Sequence, residues 1–248
     1  MTKFQKYEQK IRKNITRLKK FVTRIGISYP EAIELIKDTP EKLILPCHLG
    51  ILFYGDFDIK LFDQIESYLN YVYDSFFFEI RNLGLLRFSK ELYSKGIKKE
   101  YKELRKSNNK LSIHPTNKFY RLLIEKRIEE KLGMIISLTD LPIYSSTEIN
   151  ILFLFGETNL KHRTSIVSTL KLKESFYYRP NDQNLFFQRL IKEIIHEIGH
   201  IILGSRHCKE NSCVMKFSET IEEIDKKSNK FCLLCKGKLD NVRKIYNF

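Results

Sequence analysis

The sequence predicts an α/β fold built on one mixed β-sheet, and three observations carry that expectation. Short apolar runs at 43–53 and 75–82 alternate with stretches of helical periodicity up to residue 131. Three strand-like runs then follow closely at 134–139, 150–156 and 165–171, spaced as hairpins are, which implies at least one antiparallel strand. Finally, residues 185–203 are apolar around much of a helical surface, as a helix deep inside a domain is.

Taken in order, Phe4, Tyr7, Ile11, Ile15, Leu18, Val22 and Ile25 step by three and four along a basic segment. That spacing predicts an amphipathic helix whose stripe packs on the following domain or on a second copy of itself. Gly26 and Pro30 interrupt it; Pro30 suits the first turn of a second short helix to Ile36 or Lys37, which Pro40 closes. Residues 1–41 are thus expected to form a basic helical extension to a domain at 42–248. Leu43 to Phe53 reads as a buried strand, with Cys47 a small buried hydrophobe and His48 a hydrogen-bonded structural histidine. Leu61, Phe62, Ile65, Leu69 and Val72 mark a helix over 59–73, and SFFFEIRN at 75–82 a second strand. Residues 89–109 are lysine-rich with few core positions, so an exposed helix and turn is expected there. A helix over 117–131 presents Phe119, Leu122, Leu123 and Ile128 on its apolar side and ends at Gly133. The three strands follow, and then the long helix marked by Leu185, Leu190, Ile191, Ile194, Ile195, Ile198 and Ile201.

Composition narrows the class. The 248 residues are 42% hydrophobic, enough for a sizeable core. No apolar run approaches the roughly 18 residues of a membrane-spanning helix, and the charged start MTKFQKYEQK lacks the apolar region of a secretory signal. Five cysteines, four of them in two close pairs, suit metal ligation in a reducing compartment, so a soluble cytoplasmic protein is expected. The net charge of +14 is concentrated at one end: residues 1–24 contribute +8 and the remaining 224 residues +6. Contact of residues 1–24 with nucleic acid or an acidic surface is therefore a property of the tail rather than of the fold.

The chemistry is concentrated between His196 and Cys235. On a helix, His196 and His200 project from one face a turn apart, within reach of one zinc ion, and Glu197 flanks them. In H-E-x-x-H two imidazoles hold the metal and the carboxylate acts on zinc-bound water as general base. Gly204 can end the helix at a positive φ and return His207 as a third ligand, leaving a fourth position open as catalytic zinc requires. The alternative is three buried, hydrogen-bonded histidines without metal. Cys208, Cys213, Cys232 and Cys235 have the spacing C-x4-C, eighteen residues, C-x2-C, which suits a closed structural zinc site; two disulfides are the alternative. A different class of function stays open as well: a zinc-stabilised, basic nucleic-acid-binding or interaction protein with an inactive histidine site.

HEIGHIILGSRHC, then Cys213, Met215 and FCLLC, resembles the archaemetzincins, a branch of the metzincin zinc metallopeptidases. The likeness extends less strongly from about Leu43 to about Lys238, through the TDLPIY loop, the FG pair at 155–156 and the lead-in Arg189, Lys192 and Glu193. The resemblance implies an αβα sandwich with a mixed, about five-stranded sheet, an active-site helix and a C-terminal four-cysteine zinc knuckle. It implies two zinc ions per chain, a catalytic one on His196, His200 and His207 and a structural one on the four cysteines. Glu197 becomes the general base, Met215 the methionine of the turn beneath the metal, and a peptide or protein the substrate. It also implies that the antiparallel edge strand, placed at 150–156, borders the cleft and can pair with an extended substrate. The glycine and third histidine each fall one position later than in H-E-x-x-H-x-x-G-x-x-H. One added residue turns a helix end by about 100°, so either the helix end or the third ligand is expected to be altered, with Glu219, Glu222 or Glu223 as replacement ligands.

Overall fold

The structure is a computed structural model, which describes residues 42–87, 97–99, 111–146 and 153–248. The helices expected within 1–41 lie outside these residues. Five strands form the main sheet: β1 (Cys47–Tyr54), β2 (Phe77–Leu86), β5 (Met134–Thr139), β7 (Gly156–Asn159) and β8 (Thr164–Ser168), in the order β2-β1-β5-β8-β7. All neighbours are parallel except β7, which pairs antiparallel with β8 at one edge. The fold class is as expected, an αβα sandwich on a mixed five-stranded sheet.

Both faces of the sheet are covered, which explains why β1 and β5 read as nearly unbroken apolar runs instead of alternating ones. One face carries α1 (Leu61–Val72) and α3 (Gln183–Leu203). There Leu49, Ile51, Ile136, Leu138 and Val167 meet Ile65, Leu69, Leu190, Ile191, Ile194, Ile195 and Ile198. On the other face Leu52, Ile135 and Ile166 meet Phe119, Leu123 and Ile124 of α2 (Asn117–Glu129). Each of the five aliphatic side chains of α3 named here is fully buried, a gain of about 1.5–3 kcal/mol apiece. Tertiary burial therefore holds α3 in place, against the cost of six buried polar residues on its opposite face.

Several boundaries differ from the sequence reading. The described antiparallel edge strand is Gly156–Asn159; of the run expected at 150–156, residues 150–152 lie outside the described residues, Leu154 bridges Ile143, and Phe155 O accepts from Ser168 N at 2.7 Å. Within 89–109 the described residues 97–99 form a strand, β3 (Ile97–Lys99), not a helix or turn. It joins β4 (Leu111–Pro115) and β6 (Ile143–Tyr144) in a second, three-stranded sheet. Helix α2 ends at Glu129 and closes through Lys131 in the left-handed region, φ 53°, before Gly133 is reached. Ile128 lies on its exposed side, while Tyr120 and Arg127 are buried. The run at 165–171 ends as a strand at Ser168 and turns into a 3-10 helix at Leu170–Leu172. After α3 come α4 (Ile221–Lys226) and α5 (Leu233–Tyr246), whose amphipathic patterns were too short or too lysine-rich to stand out.

Candidate metal centre

Helix α3 begins where Asp182 Oδ1 accepts a hydrogen bond from Leu185 N at 2.9 Å. Six of its polar residues, Arg189, Lys192, Glu193, His196, Glu197 and His200, recur at helical spacing and are buried. The helix runs to Leu203, so the added residue after His200 is simply one more helical residue. Gly204 then takes φ 91° and ψ −173°, a region open essentially only to glycine, and turns the chain towards His207. The shift of the glycine and the shift of the histidine compensate each other.

The result is a nearly equilateral triangle of Nε2 atoms. His196–His200 is 3.1 Å, and His207 is 3.2 Å from each. The Nδ1 atoms of His196 and His200 lie 2.8 Å from Val214 O and 2.9 Å from Gly204 O. A carbonyl only accepts, so both protons sit on Nδ1 and both Nε2 atoms present lone pairs to each other. Burial holds all three imidazoles below their usual range, His200 to about 4 and His207 to about 3, so they are neutral near pH 7. Two lone pairs at this distance cannot bond to one another, and a cation between them resolves the conflict. The spacing suits zinc: nitrogens about 2.0–2.1 Å from a tetrahedral ion lie about 3.3–3.4 Å apart. Glu222 and Glu223 are engaged elsewhere, Glu222 facing Arg179 at 3.7 Å and Glu223 in the capping box of α4, and Glu219 is not part of the cluster.

The four cysteines form a second cluster, with ligand atoms within 4.8 Å of one another and Cys208 Sγ 3.6 Å from Cys232 Sγ. Sulfurs about 2.3 Å from a tetrahedral zinc lie about 3.8 Å apart. Burial pushes the Cys213 thiol up to about 11, so a thiolate there calls for a cationic partner. The two clusters share a backbone. His207 and Cys208 are adjacent, Cys208 N donates to Met215 O at 2.9 Å, and Val214, whose carbonyl orients His196, donates its N–H to Lys230 O at 3.0 Å.

Met215 is buried with its sulfur against Gly199 of α3, where any Cβ would overlap it. Tyr73 OH donates to Ile195 O at 2.5 Å on the same stretch of helix. Behind the histidines Lys227 Nζ lies 2.8 Å from Glu193 Oε1, both buried. Arg189 bonds Asp225 twice at 2.7 Å and Glu174 at 2.6 Å, fastening α4 to α3. Glu197 lays its carboxyl against β7, where Thr158 Oγ1 donates to Oε2 at 2.6 Å. Burial raises this carboxyl well above the usual range. All four residues of the edge strand β7 are buried; of the run expected to border the cleft, residues 150–152 lie outside the described residues. Sequence reasoning missed Gly199, Thr158, Tyr73 and Lys227, and had Gly156 only as part of the FG pair at 155–156. Only Gly199 carried a local signal, as the small residue inside H-E-x-x-H.

Gly204→Ala should lower the stability of the zinc-loaded protein by about 1–3 kcal/mol in urea unfolding. A Cβ there meets nothing within 4 Å, so the cost is backbone strain alone. An unchanged midpoint would show that the φ of Gly204 is not required.

The family model described as Peptidase family M54 matches residues 105–241. This chain belongs to peptidase family M54. It thereby joins the archaemetzincin type of zinc metallopeptidase, a hydrolase by class. The archaemetzincin of Methanocaldococcus jannaschii is 36% identical over 128 residues, covering 52% of this chain and 69% of that protein. That of Saccharolobus islandicus is 45% identical over 92 residues, covering 37% of this chain and 49% of its own. The match thus spans about half the length of the Saccharolobus relative. Among solved structures, a zinc-dependent peptidase from Methanocorpusculum labreanum superposes with TM-score 0.60 at 20% identity, over 77% of this chain and 99% of that one. Archaemetzincin from Methanopyrus kandleri gives 0.54 at 24% identity, over 80% and 97%. These likenesses show a shared fold. No described helix is long and apolar enough to cross a membrane.

Proposed function

We propose that this chain hydrolyses peptide bonds at the three-histidine centre, with Glu197 moving the proton. The observation that carries this reading is the convergence of three neutral imidazoles beside a buried carboxyl. His196, His200 and His207 would hold one zinc ion, and Cys208, Cys213, Cys232 and Cys235 a second. When bound at the histidines, zinc supplies Lewis-acid polarisation of a carbonyl oxygen and lowers the pKa of a coordinated water. Oε2 of Glu197 is held by Thr158, which leaves Oε1 to take the proton from the attacking water and pass it to the leaving amine. Val214 O and Gly204 O keep two imidazoles in the tautomer that faces inward. Met215 and Gly199 let the turn pack closely under the helix. The cysteine knuckle fixes the backbone on either side of His207 and Val214, and its four thiols suit the reducing cytoplasm. Residues 1–41 are read as an addition to this domain, whose sheet begins at Cys47.

The test is zinc per folded chain together with cleavage of a mixed peptide library. Two ions are expected, with cleavage lost to a chelator and restored by zinc. His207→Ala should leave one ion and no cleavage. Two ions retained in that variant would remove His207 from the ligand set. Salt-dependent nucleic-acid binding with no cleavage by zinc-loaded wild type would replace the peptidase reading.

A further inference from the structure

Two residues of the edge strand shape a niche for the Glu197 carboxyl. Strand positions two apart share a face, so Gly156 and Thr158 both look towards α3. A Cβ on Gly156 would stand 2.5 Å from Glu197 Oε1 and 2.9 Å from its Cδ and Cγ, so the absence of a side chain there is what admits the carboxyl. Thr158 closes the other side. Its single hydroxyl proton has three neighbours: Glu197 Oε2 at 2.6 Å, Ser165 Oγ at 2.8 Å and Glu197 O at 3.0 Å. The carboxyl oxygen Oε2 is the nearest acceptor, so the proton goes there. Ser165, directly opposite Thr158 in the antiparallel pair, then donates its own proton to Thr158 Oγ1. A hydroxyl that accepts one hydrogen bond while donating another is fixed in rotation.

The strand that carries this niche is itself held from its far face. Glu157 points away from α3, is fully buried, and accepts from Tyr120 OH of α2 at 2.9 Å. Thr158 is thereby locked between two layers, and Glu197 is locked against Thr158.

We propose that Thr158, in the niche it forms with Gly156, is a positioning residue that fixes the Glu197 carboxyl for proton transfer. The proposal rests on the peptidase reading above and assigns Ser165 the supporting hydrogen bond. Thr158 itself touches no reacting atom, and its effect passes through Glu197.

Thr158→Val keeps the shape and removes the hydroxyl. In the zinc-loaded full chain it should lower kcat on the order of ten- to a hundredfold, the loss of one hydrogen bond to a charged group. KM and zinc content should stay at wild-type values. Thr158→Ser restores the hydroxyl and should recover most of the lost rate. Gly156→Ala displaces the carboxyl without touching the hydroxyl and should lower kcat with zinc retained, giving a second reading if the valine protein does not fold. Crystal structures of wild type and Thr158→Val add a readout independent of activity: the carboxyl should leave the niche only in the variant. Wild-type kcat in Thr158→Val or Gly156→Ala, equal losses in the serine and valine proteins, or an unmoved carboxyl would each overturn the proposal. A wild type that cleaves no peptide removes the peptidase reading instead, and the two structures still decide whether Thr158 places Glu197.

Discussion

Replacing Glu197 by glutamine should lower kcat for peptide cleavage by about 10²–10⁴-fold, the usual contribution of a positioned general base, while both zinc ions remain bound. Glutamine has the same shape, and its carbonyl oxygen can still accept from Thr158 Oγ1, which now lies 2.6 Å from Oε2. His196 and His200 keep their tautomers, because Val214 O and Gly204 O hold their Nδ1 protons without any help from residue 197. What the amide cannot do is take a proton from water and return it to a leaving amine. Steady-state kinetics alongside metal analysis separates the two effects. Full activity in a variant that retains its zinc would end the role proposed for Glu197.

Lys227→Ala should lower the stability of the zinc-loaded protein by about 3–5 kcal/mol, because it strands a buried carboxylate. Lys227 Nζ meets Glu193 Oε1 at 2.8 Å, with side chains only 1% and 5% exposed, so water cannot replace the lost partner. The amine also reaches Lys216 O at 3.4 Å, just after Met215, so the loss is felt in the turn under the histidines. Replacing both members, as Glu193→Gln with Lys227→Met, should cost distinctly less than the single change, since no charge is then left buried without a counter-ion. Urea unfolding at neutral pH measures both. A single-variant loss under about 1 kcal/mol would mean that Glu193 finds another partner.

The metal-binding pattern was visible in the chain because it is local. His196 and His200 meet through helical spacing alone, and the two cysteine pairs announce themselves by short gaps. The sheet was visible because β1 and β5 are apolar on both faces, a pattern that long-range context is not needed to recognise. Where the reading slipped, the cause was tertiary. The described pairing edge is Gly156–Asn159, a polar tetrapeptide that apolar patterning passes over, because Thr158 meets Ser165 and Glu157 meets Tyr120 across the layers. Propensity loses there to hydrogen bonds that come from residues 7 and 37 positions away. Residue 128 fits an apolar stripe by spacing, but the packing of α2 buries Tyr120 and Arg127 and leaves Ile128 46% exposed.

The stretch from His196 to Cys235 determined by itself which residue types are present to hold metal, and the periodicity of 185–203 determined that two of them share a helix face. Only the tertiary structure decided how His207 joins them. One added residue would turn a rigid helix end by about 100°; here α3 absorbs it as a further helical residue, and Gly204, at φ 91°, redirects the chain so that Nε2 of His207 lies 3.2 Å from both partners. The tertiary structure likewise decided where the Glu197 carboxyl rests. Its neighbours Gly156 and Thr158 are some forty residues away in sequence and reach it across the sheet–helix interface, through a contact that no local pattern encodes.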